Sequence, residues 1–257
     1  VSKERILMEF RKILSMDKPV SRVFVEYADV ITCLIPELKS CVHFEQNNKY
    51  HKHDVYEHLL AVTDLCQTTK FEIKMAALLH DIGKPDSYTE DEDGHGHFYG
   101  HPAVSAEIAK GVLKTDFKGL KTEEYDRIVE LVETHDKSIS SSRKSVKRFI
   151  VAHGADFLDD WVVLKEADFN DHIFPSEPPK NWFTDIPEAL RISNELVAEE
   201  ACFSLKDLAV NGKDLMKELG LKPGKKIGAI LQQMLEAVIN ETVTNNRDEL
   251  LSLAQKL

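Results

Sequence analysis

The stretch AALLHDIGKP, residues 76–85, runs a small-residue apolar helix straight into an imidazole and a carboxylate. Ile73, Ala76, Ala77 and His80 fall at i, i+3, i+4 and i+7, which puts His80 on the face expected to be buried. Asp81 follows about 100° further round the helix, and Gly83 with Pro85 are expected to end it. A buried carboxylate is costly unless positive charge meets it. Two partners are open for Asp81: Lys84, three residues on, or a metal ion.

The same arrangement recurs on other predicted helices. Asp54 can cap a helix running to about Thr68, with Glu57 three residues on as in a capping box. Its stripe Val55, His58, Val62, Leu65 places His58 among apolar residues. Over 122–135, Tyr125, Ile128, Val132 and His135 repeat the pattern, and Trp161, Leu164 and Asp168 do so on a helix that also carries Leu158, Val162 and Lys165. Four helices therefore each turn one ligand-capable side chain inward. Buried Asp81 and Asp168 need positive charge, while neutral imidazoles suit a transition metal, so one shared ion would satisfy them all.

Helical patterns dominate the rest of the chain. Residues 2–15 carry Ile6, Leu7, Phe10, Ile13 and Leu14 on one stripe behind Ser2, a candidate N-cap. Pro102 suits the first position of a helix to about Leu113. Further helices are expected around 185–201 and in 204–257. The one hairpin expected is SYTEDEDGHGHFYG, 87–100, turning at Asp93-Gly94. The three prolines of DHIFPSEPPKNWF, 171–183, read as a linker. The fold class is all-α, a helical bundle with extra N- and C-terminal helices. Its expected division is an N-terminal region 1–50, a central domain 51–175 and a C-terminal region 176–257.

Composition narrows the function classes. The net charge is 33 − 44 = −11, which argues against nucleic-acid binding over the whole surface but not against local basic sites. Cys33, Cys41, Cys66 and Cys202 form no CxxC pair and read as reduced thiols of a cytoplasmic protein. No run of 18 apolar residues and no charged-then-apolar leader occurs, so neither a membrane span nor a signal peptide is expected. Nothing in the sequence sets an oligomeric state.

His58, the pair His80-Asp81 and Asp168 match the H…HD…D signature, and the chain thereby resembles the HD-domain metal-dependent phosphohydrolases. HDIGKP, 80–85, is typical of that family, as are GHPAVSAEIA, 100–109, and LVETHD, 131–136, which contribute His101 and His135. Members with six ligands commonly hold two metals, and this chain has a residue for each slot. His101, which precedes Pro102, is either such a ligand or a helix cap. The resemblance further implies that Asp81 ligates and orients a water, and that Lys84 meets a phosphate oxygen.

LIPEL, 34–38, and QNNKYHKHDVYEHLL, 46–60, resemble the middle part of bacterial tRNA nucleotidyltransferases, the CCA-adding enzymes and their poly(A) polymerase relatives. SLKDLAVNGKDLMKELGLKPGKKIGAILQQMLEAVI, 204–239, resembles the region that follows their HD domain. The catalytic head of that family carries a GGxxRD-like turn and a DxD carboxylate pair. No GGxxRD occurs here. Asp91-Glu92-Asp93 spells DxD, but at an expected hairpin tip, where it reads as a solvated acidic turn. The chain is therefore expected not to add nucleotides by itself.

Substrate choice rests on local charge. KSISSSRKSVKR, 137–148, holds five basic residues, five serines and no acid, directly after His135 and Asp136. Arg143, Lys144, Lys147 and Arg148 are thus candidates for binding a phosphate beside the metals, the alternative being a solvated loop and helix start. LKPGKKIG, 221–228, puts lysines and a glycine turn before a helix and is a candidate contact for a nucleic-acid backbone.

The expectation is a phosphohydrolase acting on phosphomonoesters or cyclic phosphodiesters of nucleotides or RNA ends, with one or two divalent ions. Mn, Co, Ni, Fe or Zn suit nitrogen-rich ligation better than Mg. The alternative is a non-catalytic body that holds tRNA or another RNA.

Overall fold

The computed structural model describes residues 2–16, 18–174, 180–199 and 201–257, and of 180–184 the backbone alone. Helices dominate it: α1 (Lys3–Leu14), α2 (Ser21–Glu26), α3 (Ala28–Leu34), α4 (Val55–Leu65) and α5 (Phe71–Leu79) come first. After the short strands β1 (Thr89–Glu90) and β2 (Gly96–His97) follow α6 (His101–Asp116), α7 (Thr122–Thr134), α8 (Arg143–His153) and α9 (Ala155–Asp171). Then come α10 (Lys180–Ala198), α11 (Gly212–Leu219), α12 (Lys225–Ile239) and α13 (Arg247–Ala254). Thr89 pairs with His97 and Glu90 with Gly96 in the one antiparallel hairpin among the described residues, so the all-α class holds.

The chain clusters into two compact units that do not follow chain order: residues 1–138 with 159–178, and residues 139–158 with 179–257. The first 50 residues share a unit with the helices that carry the histidines. In that unit α5 is the central helix, buried from Phe71 to Leu79 on every side except Glu72, and it packs against α4 and α7 while α6 packs against α7. An apolar-all-round helix has nowhere to sit but the core. Phe10 of α1 meets Phe24 and Phe117 edge-on at 5.9 and 5.0 Å, and Arg11 forms a two-pronged ion pair with Glu124 at 2.9 Å. Ser2 caps α1 by accepting from the Arg5 N–H, as its sequence position suggested.

The helix ends depart from the sequence reading in instructive ways. α4 stops at Leu65 rather than Thr68, and Leu65 is exposed, so the buried stripe ends at Val62. α5 ends at Leu79, ahead of Gly83. Gly83 answers to a close approach instead: a Cβ there would lie 2.5 Å from the Ser105 backbone nitrogen, and its N–H donates to Ser105 Oγ at 2.9 Å. The turn after α5 is thereby pressed onto α6. Pro102 is the second residue of α6, with Gly100 as its left-handed N-cap. The linker reading of 171–183 centres on residues 175–179, which lie outside the described residues; at its ends, Asp171 is helical and α10 begins at Lys180.

In the second unit α8 packs on α10 and α12, and α12 on α11 and α13. Leu215, Ile230, Met234, Val238 and Leu250 form its core. Asn211 caps α11 by accepting from the Lys213 and Asp214 N–H groups, and Gly220 closes that helix in a left-handed turn. Residues 143–153 form α8 behind a Ser142 cap, so the basic run 137–148 ends in the start of a helix. Among the described residues no helix is long and apolar enough to cross a membrane.

Candidate metal centre

Six residues expected as ligands converge on one carboxylate. His58 comes from the first turn of α4, His80 and Asp81 from the end of α5, His101 from the start of α6, His135 from the end of α7, and Asp168 from the last turn of α9. His58 and His80 are 0% exposed and Asp81 is 2% exposed. His101 is not the cap of α6, because Gly100 takes that position and the imidazole is turned inward.

The four imidazoles share one orientation. Each engages Nδ1 with an acceptor: His58 with Asp171 Oδ2 at 2.8 Å, His80 with the Ala77 carbonyl at 2.8 Å, His101 with the Phe98 carbonyl at 2.8 Å and His135 with the Val132 carbonyl at 2.7 Å. With Nδ1–H donating, every Nε2 is left facing Asp81. Oδ2 of Asp81 lies 3.3 Å from both His58 Nε2 and His80 Nε2, and Oδ1 lies 3.0 Å from His101 Nε2 and 3.3 Å from His135 Nε2. Asp168 Oδ1 completes the first side, 3.3 Å from His58 Nε2 and 3.7 Å from His80 Nε2.

These spacings fit ions. Bonds of about 2.1 Å put neighbouring donors about 3.0 Å apart at right angles and about 3.4 Å apart at the tetrahedral angle. Two donor triads have their ligand atoms within 4.8 Å of one another, His58–His80–Asp81 and Asp81–His101–His135, and they share Asp81. His58 Nε2, His80 Nε2 and Asp81 Oδ1 are buried without a hydrogen-bond partner, a costly arrangement that a cation between them removes. The His101 and His135 Nε2 atoms face each other at 3.1 Å, again two lone pairs that call for a cation or a proton.

Electrostatics distinguishes the two sides. Burial alone would lower the His58 pKa, but Asp168, Asp171 and Asp81 lift it to about 10. Burial opposes protonation of His80 as well, and Asp81 and Asp168 raise it to about 9. On the second side burial prevails and His80 and His101 add repulsion, so His135 stays below its usual value. Burial would raise the Asp81 carboxyl, yet His80, Lys84 and His101 hold it well below the usual carboxylate range. Asp168 is held low against burial by His58 and His80. The carboxylates of the first side thus favour positive charge at its imidazoles.

Lys84 is not a surface lysine. It is 4% exposed, with Nζ 2.6 Å from Asp81 Oδ2 and 2.8 Å from Gln46 Oε1, and it lies 5.3 Å above the Phe98 ring. Of the two partners considered for Asp81, the lysine is in place at one oxygen, and histidines able to hold an ion surround the carboxylate. Lys84 Nζ also lies 3.2 Å from His51 Nε2, which accepts while His51 Nδ1 faces Asn48 Oδ1 at 2.7 Å. Burial and Lys84 keep His51 neutral, with its pKa near 2.

Three of the four cations expected to bind a phosphate have neighbours of their own. Arg143, Lys144, Lys147 and Arg148 lie on α8, in the second unit. Arg143 pairs with Glu199 and with Glu241, Arg148 donates to Asn240 Oδ1 at 2.7 Å, and buried Lys147 donates to the Val238 carbonyl. Lys144 is exposed. A basic run marks charge, and the chain spends most of it on tying α8 to α10 and α12.

Sequence reasoning missed Asp171, His172, His51 and Gln46. Asp171 orients His58 and also meets Lys52 at 3.1 Å, and the His172 ring lies 4.5 Å from that of His51. The signal was present: Asp171 and His172 follow Asp168 by three and four residues, the spacing that keeps them on one helical face. Asp91, the start of the DxD, accepts from the Asp93 and His95 N–H groups in an exposed turn, so the acidic-turn reading of that motif fits.

Two family models match successive parts of the chain. The HD domain model matches residues 55–168, which span all six converging residues. The model described as tRNA nucleotidyltransferase domain 2, putative, matches residues 182–254. The A-adding tRNA nucleotidyltransferase of Deinococcus radiodurans is 29% identical over 240 residues, covering 91% of this chain and 54% of that protein. The CC-adding tRNA nucleotidyltransferase of Thermus thermophilus is 26% identical over 242 residues, covering 92% of this chain and 52% of its own length. The human mitochondrial CCA tRNA nucleotidyltransferase 1 matches over 123 residues at 32% identity, 46% of this chain and 27% of that one. The chain spans about half the length of the first two relatives.

Proposed function

We propose, for a chain that carries an HD domain joined to a tRNA nucleotidyltransferase domain 2 and is related to the CCA-adding enzymes, that it is a metal-dependent phosphohydrolase. Its substrates are phosphomonoesters or cyclic phosphodiesters of nucleotides or RNA ends. The observation that carries this reading is the common orientation of the four imidazoles, each with Nδ1 engaged and Nε2 aimed at Asp81. A purely structural cluster would not leave three buried polar atoms unpaired.

His58, His80, Asp81 and Asp168 are the residues assigned to a first ion, and Asp81, His101 and His135 to a second. When bound, divalent ions there supply an acidified water and offset charge on the phosphoryl group. Asp81 contributes an oxygen to each side and orients the attacking water as hydrogen-bond acceptor. Asp171 fixes the His58 ring through Nδ1, the usual service of a carboxylate behind a ligating histidine. Lys84 balances the charge of Asp81 and is the nearest cation for a phosphate oxygen, so its replacement alters ligand and substrate binding together. Nitrogen-rich ligation favours Mn, Fe, Co, Ni or Zn over Mg. A cytoplasmic setting belongs to this reading, in keeping with four free cysteines.

A second reading, a body that holds tRNA, is supported by the second unit. There Lys213, Gly224 and Gly228 line a groove of about 550 Å³ between the first turns of α11 and α12, within the segment matched to tRNA nucleotidyltransferase domain 2. The two readings separate in one experiment. Metal-analysed protein is incubated with Mn²⁺ and p-nitrophenyl phosphate, bis-p-nitrophenyl phosphate or a 2′,3′-cyclic nucleotide. Chelator-sensitive turnover of any of these is the expected result. A folded, metal-loaded protein that turns over none leaves the RNA-holding reading, whose mark is tRNA binding that weakens steeply with salt.

A further inference from the structure

The geometry points to Lys165 as a positioning residue for the second metal position, a role that rests on the two-ion reading above. Trp161, Lys165 and Asp168 fall at i, i+4 and i+7 on α9 and so form one narrow stripe. Its two ends serve different sides of the cluster. Asp168 faces His58 and His80. One turn and two turns earlier, Lys165 Nζ donates to the His135 carbonyl at 2.9 Å, and Trp161 Nε1 donates to the Thr134 carbonyl at 2.9 Å.

Those carbonyls belong to the last turn of α7, where helix geometry leaves oxygens unpaired and a cation complements the dipole. Lys165 is 7% exposed and Trp161 1% exposed, so both donors act away from solvent. The His135 ring is fixed relative to its own main chain by the Val132 carbonyl. What remains free is where that main chain sits, and Lys165 pins it. Metal sites tolerate little displacement, because bond lengths vary by only about 0.2 Å. A shift of the end of α7 would move His135 Nε2 away from Asp81 Oδ1, now 3.3 Å distant, while His58, His80 and Asp168 stay in place. Lys165 therefore links the weaker ligand pair to the helix that supplies a ligand of the stronger one.

The test is titration of the metal-free full chain with Mn²⁺, read by calorimetry and by electron paramagnetic resonance, which separates isolated from spin-coupled ions. The wild-type chain is expected to take two ions and show a coupled pair. Lys165→Met, which keeps the apolar stem, is expected to bind the first ion as before and the second about 10- to 100-fold more weakly. Its spectrum becomes that of an isolated ion. Lys165→Arg, still able to reach the carbonyl, restores the coupled signal. Unchanged two-ion binding in Lys165→Met overturns the proposal, and so does equal weakening of both steps with a lowered melting temperature, the mark of a general packing role. If Lys165→Met does not fold, Trp161→Phe, which removes one donor from the same helix end, must weaken the second step selectively or the proposal falls. A wild-type chain that binds one ion only overturns the two-ion reading and this proposal with it.

Discussion

At Asp81 the chain brings four imidazoles, a second aspartate and a lysine within 4 Å of one another's polar atoms and away from water. On α8 it gathers four cations and treats three of them in the opposite way, with Glu199 and Glu241 for Arg143, Asn240 for Arg148 and the Val238 carbonyl for Lys147. The first arrangement leaves buried atoms unpaired and the second does not. Density of charge in the sequence is the same kind of signal in both places. What differs is whether the local geometry satisfies it, and only the unsatisfied cluster asks for a ligand.

Removing the shared carboxylate should break the comparison outright. Asp81→Ala leaves Lys84 and the imidazoles buried around an empty centre, and the loss of one partner from a buried charge cluster costs about 3–5 kcal/mol. Metal content should fall to zero for both ions, since each triad needs this residue. Equilibrium denaturation and elemental analysis read the two effects. Retention of one full ion equivalent would show that the triads are independent and that Asp81 is not their common ligand.

The next largest effect is on pH. With His58 raised to about 10 and His80 to about 9 in the metal-free chain, both above the usual 6.5, the stabilisation from their protonation is complete below about 6.5. It fades as pH rises through 9 and 10. Asp81 and Asp168, held low, contribute stability above the usual carboxylate value and lose it only as pH falls through their depressed pKa values. Chelated protein should therefore melt at progressively lower temperature from pH 7 to pH 10. Added Mn²⁺ should stabilise it more at pH 9 than at pH 6.5, because fewer protons must be displaced. A metal-induced shift in melting temperature that is flat across this range would mean that the first side does not hold protons in place of an ion.

The contrast also explains what the sequence made legible. The inward direction of His58, His80, His135 and Asp168 followed from helical periodicity, because one face of each helix had to be apolar and each polar residue lay on it. His101 could not be resolved from a cap, since the deciding feature is the left-handed backbone of Gly100. Lys84 was legible as a partner of Asp81, but not its second contact, since Gln46, 38 residues earlier, closes over it. The approach of that segment depends on Gly96, where a Cβ would lie 2.4 Å from the Gln46 carbonyl. The partners of the α8 cations were not legible, because they lie 56 to 98 residues away, beyond the reach of any local pattern.

The smallest expected effect sharpens the comparison from the satisfied side. Arg148 donates to Asn240 in an exposed setting and Lys144 is exposed, so Arg148→Ala and Lys144→Ala together remove charge without opening the core. Exposed polar contacts of this kind contribute about 0–1 kcal/mol, and surface substitutions usually stay within about 0.5 kcal/mol each. The double variant should melt within a few degrees of the wild-type chain and bind Mn²⁺ identically. If α8 plays no part in substrate binding, the salt dependence of phosphoester turnover should also be unchanged, because screening acts on whatever cations steer the anion. A loss of turnover with a flattened salt dependence, at full metal content, would return α8 to the substrate's path. It would mean that pairing with a neighbour does not exclude a cation from recognition, and the distinction between satisfied and unsatisfied charge would then hold for metals but not for phosphates.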